Sequence, residues 1–113
     1  MNVDDIRAHC LQKENVEECF PFDEDTLVFK VNGKMFLLVS LTDIPLQFNV
    51  KCDPEKAIAL REEFMQVQPG YHMSKVHWNT VVTEGGMSHK LLLEQIDHSY
   101  DLVAAGGKKK KRS

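Results

Sequence analysis

The chain has 113 residues, 42% of them hydrophobic, and a formal net charge of −3, which suits one domain around one core and leaves too little for two. It holds no run of about 18 apolar residues able to span a bilayer, and its acidic start, Met-Asn-Val-Asp-Asp, is unlike the basic opening of a secretion signal. Its three cysteines, Cys10, Cys19 and Cys52, form no Cys-x-x-Cys pair of the kind that holds zinc or a redox disulfide, so no membrane span, export or disulfide framework is expected and the chain is placed in the cytoplasm with reduced thiols.

Asn2 caps a first helix expected over residues 3–13, with Asp4 and Asp5 at the positive end of its dipole and Val3, Ile6, Cys10 and Leu11 on one face. Residues 16–25 are acidic and contain Pro21. They read as an irregular connection with Phe20 and Phe22 turned inward. Residues 26–31 and 34–41 are rich in β-formers and flank Asn32-Gly33, a strong signal for a two-residue hairpin turn. That turn pairs Phe29 with Phe36, Leu27 with Leu38, Val28 with Leu37 and Lys30 with Met35. Both faces are then apolar at mid-strand, so each is expected to be covered by a helix, a loop or a partner.

After a turn around residues 43–45, Leu46, Phe48, Val50 and Cys52 alternate with Gln47, Asn49 and Lys51, the pattern of a half-buried strand with a polar side free for function. Asp53 caps and Pro54 begins a second helix, with Ala57, Ile58, Leu60 and Phe64 on its buried side and an end near Met65. Pro69-Gly70 breaks the chain. Residues 76–83 read as a further strand closed by Gly85-Gly86. Ser88 caps a last helix with Leu92, Ile96, Ser99 and Val103 on one face, and Gly106-Gly107 is its expected stop. The domain is drawn over residues 1–105 and a disordered basic tail over 106–113. Lys108, Lys109, Lys110, Lys111 and Arg112 supply five of the 14 basic residues; the body keeps nine against 17 acids, about −8. Such a balance counts against phosphate binding by the body as a whole.

The stretches Asn49-Val50-Lys51-Cys52-Asp53-Pro54-Glu55, Leu60-Arg61, Pro69-Gly70-Tyr71-His72-Met73, Lys75, His77-Trp78-Asn79-Thr80 and Ile96-Asp97-His98-Ser99-Tyr100 together resemble the MmcQ/YjbR family over nearly all of residues 4–103. The resemblance implies an α+β fold, an antiparallel meander with three packed helices, similar to the frataxin-like or double-wing arrangement. It also implies binding to double-stranded DNA. That functional part rests on fold analogy.

The candidate binding residues are Asn49, Lys51, Tyr71, His72, Lys75, His77, Trp78 and Asn79. Lys75 and His77 suit an anion, Trp78 suits stacking on a ring, and Asn79 offers an amide fork. A structural role is the alternative for several of them: Tyr71 and Trp78 packed on the core, Asn79 bonded to loop backbone, His72 bonded to a carbonyl, Lys51 simply solvated. For Arg61 a structural ion pair is the expectation. The histidines lack the spacing of a metal site, and Cys52 points to the core where a thiol is inert. No cofactor, metal or catalytic residue is therefore expected. The readings left open are a DNA-binding module aided by the tail and a protein- or small-anion-binding module using the 71–79 surface.

Overall fold

The computed structural model describes residues 1–70 and 74–112, with side chains as far as Gly106 in the last helix. The elements are α1 (Val3–Leu11), β1 (Val16–Cys19), β2 (Thr26–Val31), β3 (Lys34–Ser40), β4 (Gln47–Lys51), α2 (Pro54–Glu63), β5 (Val67–Pro69), β6 (Trp78–Val82) and α3 (His89–Arg112). The strands form one sheet in the order β1-β2-β3-β4-β6-β5, with every neighbouring pair antiparallel. The α+β class, the meander and the three helices are those expected from the sequence.

Local chemistry explains the boundaries. Asn2 and Asp5 form a reciprocal capping box at α1. Asp53 accepts the Lys56 amide ahead of Pro54, and the Ser88 hydroxyl accepts the Leu91 amide at the start of α3, each satisfying an orphan donor of a first turn. Asn32 and Gly33 both have positive φ, 53° and 81°, as the tight hairpin turn requires.

Buried side chains of all three helices join one cluster with Phe29, Phe36, Phe48 and Val81 on one face of the sheet. Val28, Leu38 and Trp78 form a second, small cluster on the opposite face, with Cys19 and Met35 packed against it and, among the described residues, no helical side chain. The second apolar face is thus covered by the sheet's own Trp78.

Several expectations are corrected. Residues 16–19 pair with β2 as an edge strand, and Arg7 grips Glu18 with two bonds of 2.7 and 2.6 Å that tie this edge to α1. Phe20 and Phe22 are 50% and 60% exposed, and Ile58 is 56% exposed. Residues 67–69, unassigned from sequence, form β5. In the hairpin Lys30 faces Met35 as expected, but Phe29 faces Leu37 and Leu27 faces Val39, because the ladder slips at Phe29/Lys30. Phe36 is the extra residue of this bulge, and both it and Leu37 enter the main core. The expected stop at Gly106-Gly107 is not observed, since α3 continues to Arg112.

The bulge leaves backbone groups that α3 satisfies. Ser99, fully buried, donates its hydroxyl to the Phe36 carbonyl and accepts the Lys51 amide at 2.8 Å, closing the gap where β3 and β4 stop pairing beyond Leu37 and Val50. Ser99→Ala is expected to strand both groups and cost about 2–4 kcal/mol, read as a lower denaturant midpoint. A loss no larger than that of an exposed serine such as Ser74 would show that the hydroxyl is dispensable.

Candidate functional site

Strand alternation sorts the candidate residues onto two faces. Asn49 and Lys51 of β4 lie on the helix-free face, opposite Thr80 and Trp78 of β6. The Thr80 hydroxyl donates to the Asn49 amide oxygen. Gln47, Gln68, Pro69, Gly70, Lys75 and Thr80 line a shallow groove of about 430 Å³ on that face. Lys75 and His77 are exposed in the loop leading to β6.

Trp78 and Asn79 are not available as contact groups. Trp78 is only 9% exposed and must reach across β4 to meet Leu38 and Val28, so it packs rather than stacks on a ligand. Asn79 is fully buried on the helical side. Its amide oxygen accepts from Arg61 Nε at 2.8 Å, and the same guanidinium donates to the carbonyls of Trp78, at 3.1 Å, and Lys75. Arg61 therefore holds the end of β6 through neutral acceptors, in place of the ion pair expected for it. Tyr71 and His72 lie outside the described residues.

Gly70 completes this clamp. Its amide donates to the Trp78 carbonyl at 2.8 Å, and a Cβ there would sit 2.7 Å from Trp78 Cβ and 2.9 Å from that carbonyl oxygen. No signal in the sequence distinguished this close approach from an ordinary Pro-Gly turn. Among the described residues Asn79 Nδ2 and Gln95 Oε1 have no hydrogen-bond partner, and both line a tight crevice with His98 and Lys56.

Of the groups proposed from sequence, the fold thus leaves Asn49, Lys51 and Lys75 toward the helix-free side, with His77 exposed in the loop before β6. Lys30, on the same face of β2 as Val28, is separated from Lys51 only by β3, a distance of about 10 Å by strand spacing. Glu17 stands opposite Lys30 on the edge strand and offsets part of its charge. A family model described as YjbR matches residues 11–102. The chain belongs to the YjbR family. It is 40% identical over 92 residues to the protein YbdF of Escherichia coli O157:H7, covering 80% of this chain and 75% of that one. It is 27% identical over 100 residues to YjbR of Escherichia coli K12, covering 88% and 85%. The crystal structure of Deinococcus radiodurans DR2400, described as a DUF419 domain, superposes with a TM-score of 0.90 at 40% identity, covering 94% of this chain and 80% of that one. A Pseudomonas syringae structure superposes with a TM-score of 0.78 at 27% identity, covering 91% and 99%. None of these relatives carries an enzymatic name.

The titratable groups of this YjbR-family chain have structural neighbours. Burial pushes the Cys10 thiol up to about 12 and also raises Cys52, which keeps both protonated and poor as nucleophiles. Among the described residues no group of three or more His, Cys, Asp or Glu could hold a metal ion, and no helix is long and apolar enough to cross a membrane. Asp97 Oδ1 meets His9 Nε2 and Lys13 Nζ, each at 2.6 Å, joining α1 to α3. Burial alone would raise this carboxyl, but the bonds from Lys13 and His9 hold it below its ordinary value.

His98 Nε2 accepts the Asp53 amide at the start of α2. Burial, then the nearby Lys56, lowers the affinity of this imidazole for a proton. The unfolded chain therefore takes up the proton first as pH falls below the ordinary value of 6.5, so His98 makes stability fall with pH through that window and recover above it. His98→Gln, which keeps an acceptor but does not titrate, is expected to flatten the change in urea midpoint between neutral pH and about pH 5. An unchanged slope would remove His98 from the account.

Arg61→Lys tests the clamp. Lysine cannot span three acceptors with one planar fork, so stability should fall by about 1.5–3 kcal/mol. Emission of Trp78, the only tryptophan, should shift to the red as its pocket loosens. An unshifted emission maximum would show that Trp78 is held by its apolar contacts alone.

Proposed function

We propose that the chain is a DNA-binding protein without catalytic activity that meets duplex with the hairpin end of its helix-free sheet face. The supporting observation is that Lys30 of β2, Lys51 of β4 and Lys75 of the loop before β6 stand at the same end of that face, with His77 exposed in the same loop. An acidic total does not prevent this, because contacts to phosphate are made by local cations and distant charges are screened within about 10 Å. A two-stranded ribbon fits the major groove, and the β2–β3 tip, with Lys34 beside the turn, has that form. The end of α3 reaches the same end of the sheet, where Ala104 and Ala105 share a cleft with Asn32 and with the carboxylates of Glu14 and Asp101, and in this reading the basic run of residues 108–112 that follows adds to the contact. Action in the cytoplasm is part of this reading.

The groove beside Lys75 supports a second reading, in which the same face holds a small anion or an acidic peptide among the Gln47, Gln68 and Thr80 side chains. Titration of labelled duplex at two ionic strengths separates the two. On the DNA reading a chain ending at Gly107 still binds, and Lys51→Ala and Lys75→Ala each lower affinity and reduce the salt slope by roughly one. No binding by the shortened chain at low salt would reject DNA recognition by the fold and leave the anion or peptide reading.

A further inference from the structure

The end of the sheet opposite the hairpin turn carries a different surface. The β1–β2 and β3–β4 loops lie side by side there, because β2 and β3 are paired out to Thr26 and Ser40 and the Leu41 amide donates to the Asp25 carbonyl at 2.7 Å. Phe20, Phe22, Leu41 and Ile44 stand on these two loops with exposures of 50%, 60%, 42% and 95%. Half of the eight large apolar side chains exposed among the described residues are thus gathered at one end. Scattered exposed apolar residues need no explanation, but a gathered set rimmed by polar groups marks a contact surface.

The two loops themselves carry one sign. Residues 20–25 and 41–46 contain Asp23, Glu24, Asp25 and Asp43 and no lysine, arginine or histidine. The loops are also shaped in advance: Asp23 accepts the amides of Asp25 and Thr26 at 2.9 and 2.8 Å, and Asp43 accepts from Gln47 at 3.0 Å. We propose that this end docks a second protein whose contact segment presents apolar side chains flanked by lysine or arginine. The charge decides among occupants. Nucleic acid and an anionic membrane are repelled by these carboxylates, and a second copy docked by the same end would set them against their own kind. A basic, apolar protein segment satisfies both the patch and its rim. This inference stands independently of the DNA reading, which uses the other end of the sheet.

The test measures anisotropy of two short labelled amphipathic peptides, one of leucine and lysine and one of leucine and glutamate, with the full chain at physiological salt. The lysine peptide is expected to bind and the glutamate peptide not. Phe22→Ser combined with Ile44→Ser should weaken binding by about tenfold or more, since each change removes apolar contact area without touching charge. Ile58→Ser, exposed on α2, should leave it unchanged and thereby separates the patch from general attraction to an acidic body. Absence of binding by the lysine peptide, or equal affinity for wild type and the double variant, overturns the proposal. So does binding to phosphatidylcholine vesicles that the double variant loses, which would assign the patch to a lipid surface.

Discussion

The carbonyl of Trp78 receives two donors, the Gly70 amide and the Arg61 guanidinium, and the remainder of the helix-free face depends on that clamp. An antiparallel sheet with helices on one side ordinarily leaves the other side polar and wet. Here that side carries Val28 and Leu38 at mid-strand, and no described helix covers them. A tryptophan can do so only if its strand is held in a fixed register and its indole is aimed across β4. Arg61 fixes the strand from the helical side, through Asn79 and the Trp78 carbonyl. Gly70 fixes it from β5 by an approach too close for any side chain. Residues far apart in sequence thus serve one purpose, and Trp78 and Asn79, two of the candidate binding residues, are parts of this support.

The sequence revealed what is local. Caps at Asn2, Asp53 and Ser88, the Asn32-Gly33 turn and the alternation through β4 are written in contiguous residues, and each element they predict is present. Phe48, Val50 and Cys52 point inward as their alternation requires. What escaped was set by distant partners. β1 is four residues of an acidic edge whose strand character comes from pairing with β2 and from Arg7. The Phe36 bulge is met by a donor and an acceptor from Ser99, distant in sequence. Trp78 and Asn79 looked like ligand groups because their types suit ligands, whereas their burial follows from Arg61 and Leu38, which no spacing rule connects to them.

Charge is distributed in the same long-range way. The body's net charge of about −8 is not spread evenly over its loops. Asp23, Glu24, Asp25 and Asp43 gather where β2 and β3 begin and end, while Lys30, Lys34, Lys51 and Lys75 gather toward the turn between those strands. In the meander, loops alternate between ends, so a bias in the composition of alternate loops becomes a difference between the two ends of this face, tempered at the turn end by Glu14 and Asp101 beside Asn32. A ligand approaching within a Debye length senses one end and little of the other.

The bulge gives the hairpin end a further property. An extra residue bends its strand and increases local twist, and here it sits between Lys30 on one side and Lys51 on the other. The pairing of β3 with β4 stops at Leu37 and Val50, and beyond that point Ser99 bridges the Phe36 carbonyl and the Lys51 amide. Lys51 is consequently anchored by its own amide to α3 while its side chain faces the open side of the sheet. A cation held by its backbone to the core has less conformational freedom to lose on meeting a ligand than one on a loose loop. Lys75 is held likewise, since its carbonyl accepts from the Arg61 guanidinium, so either cation would meet a ligand with its backbone already ordered.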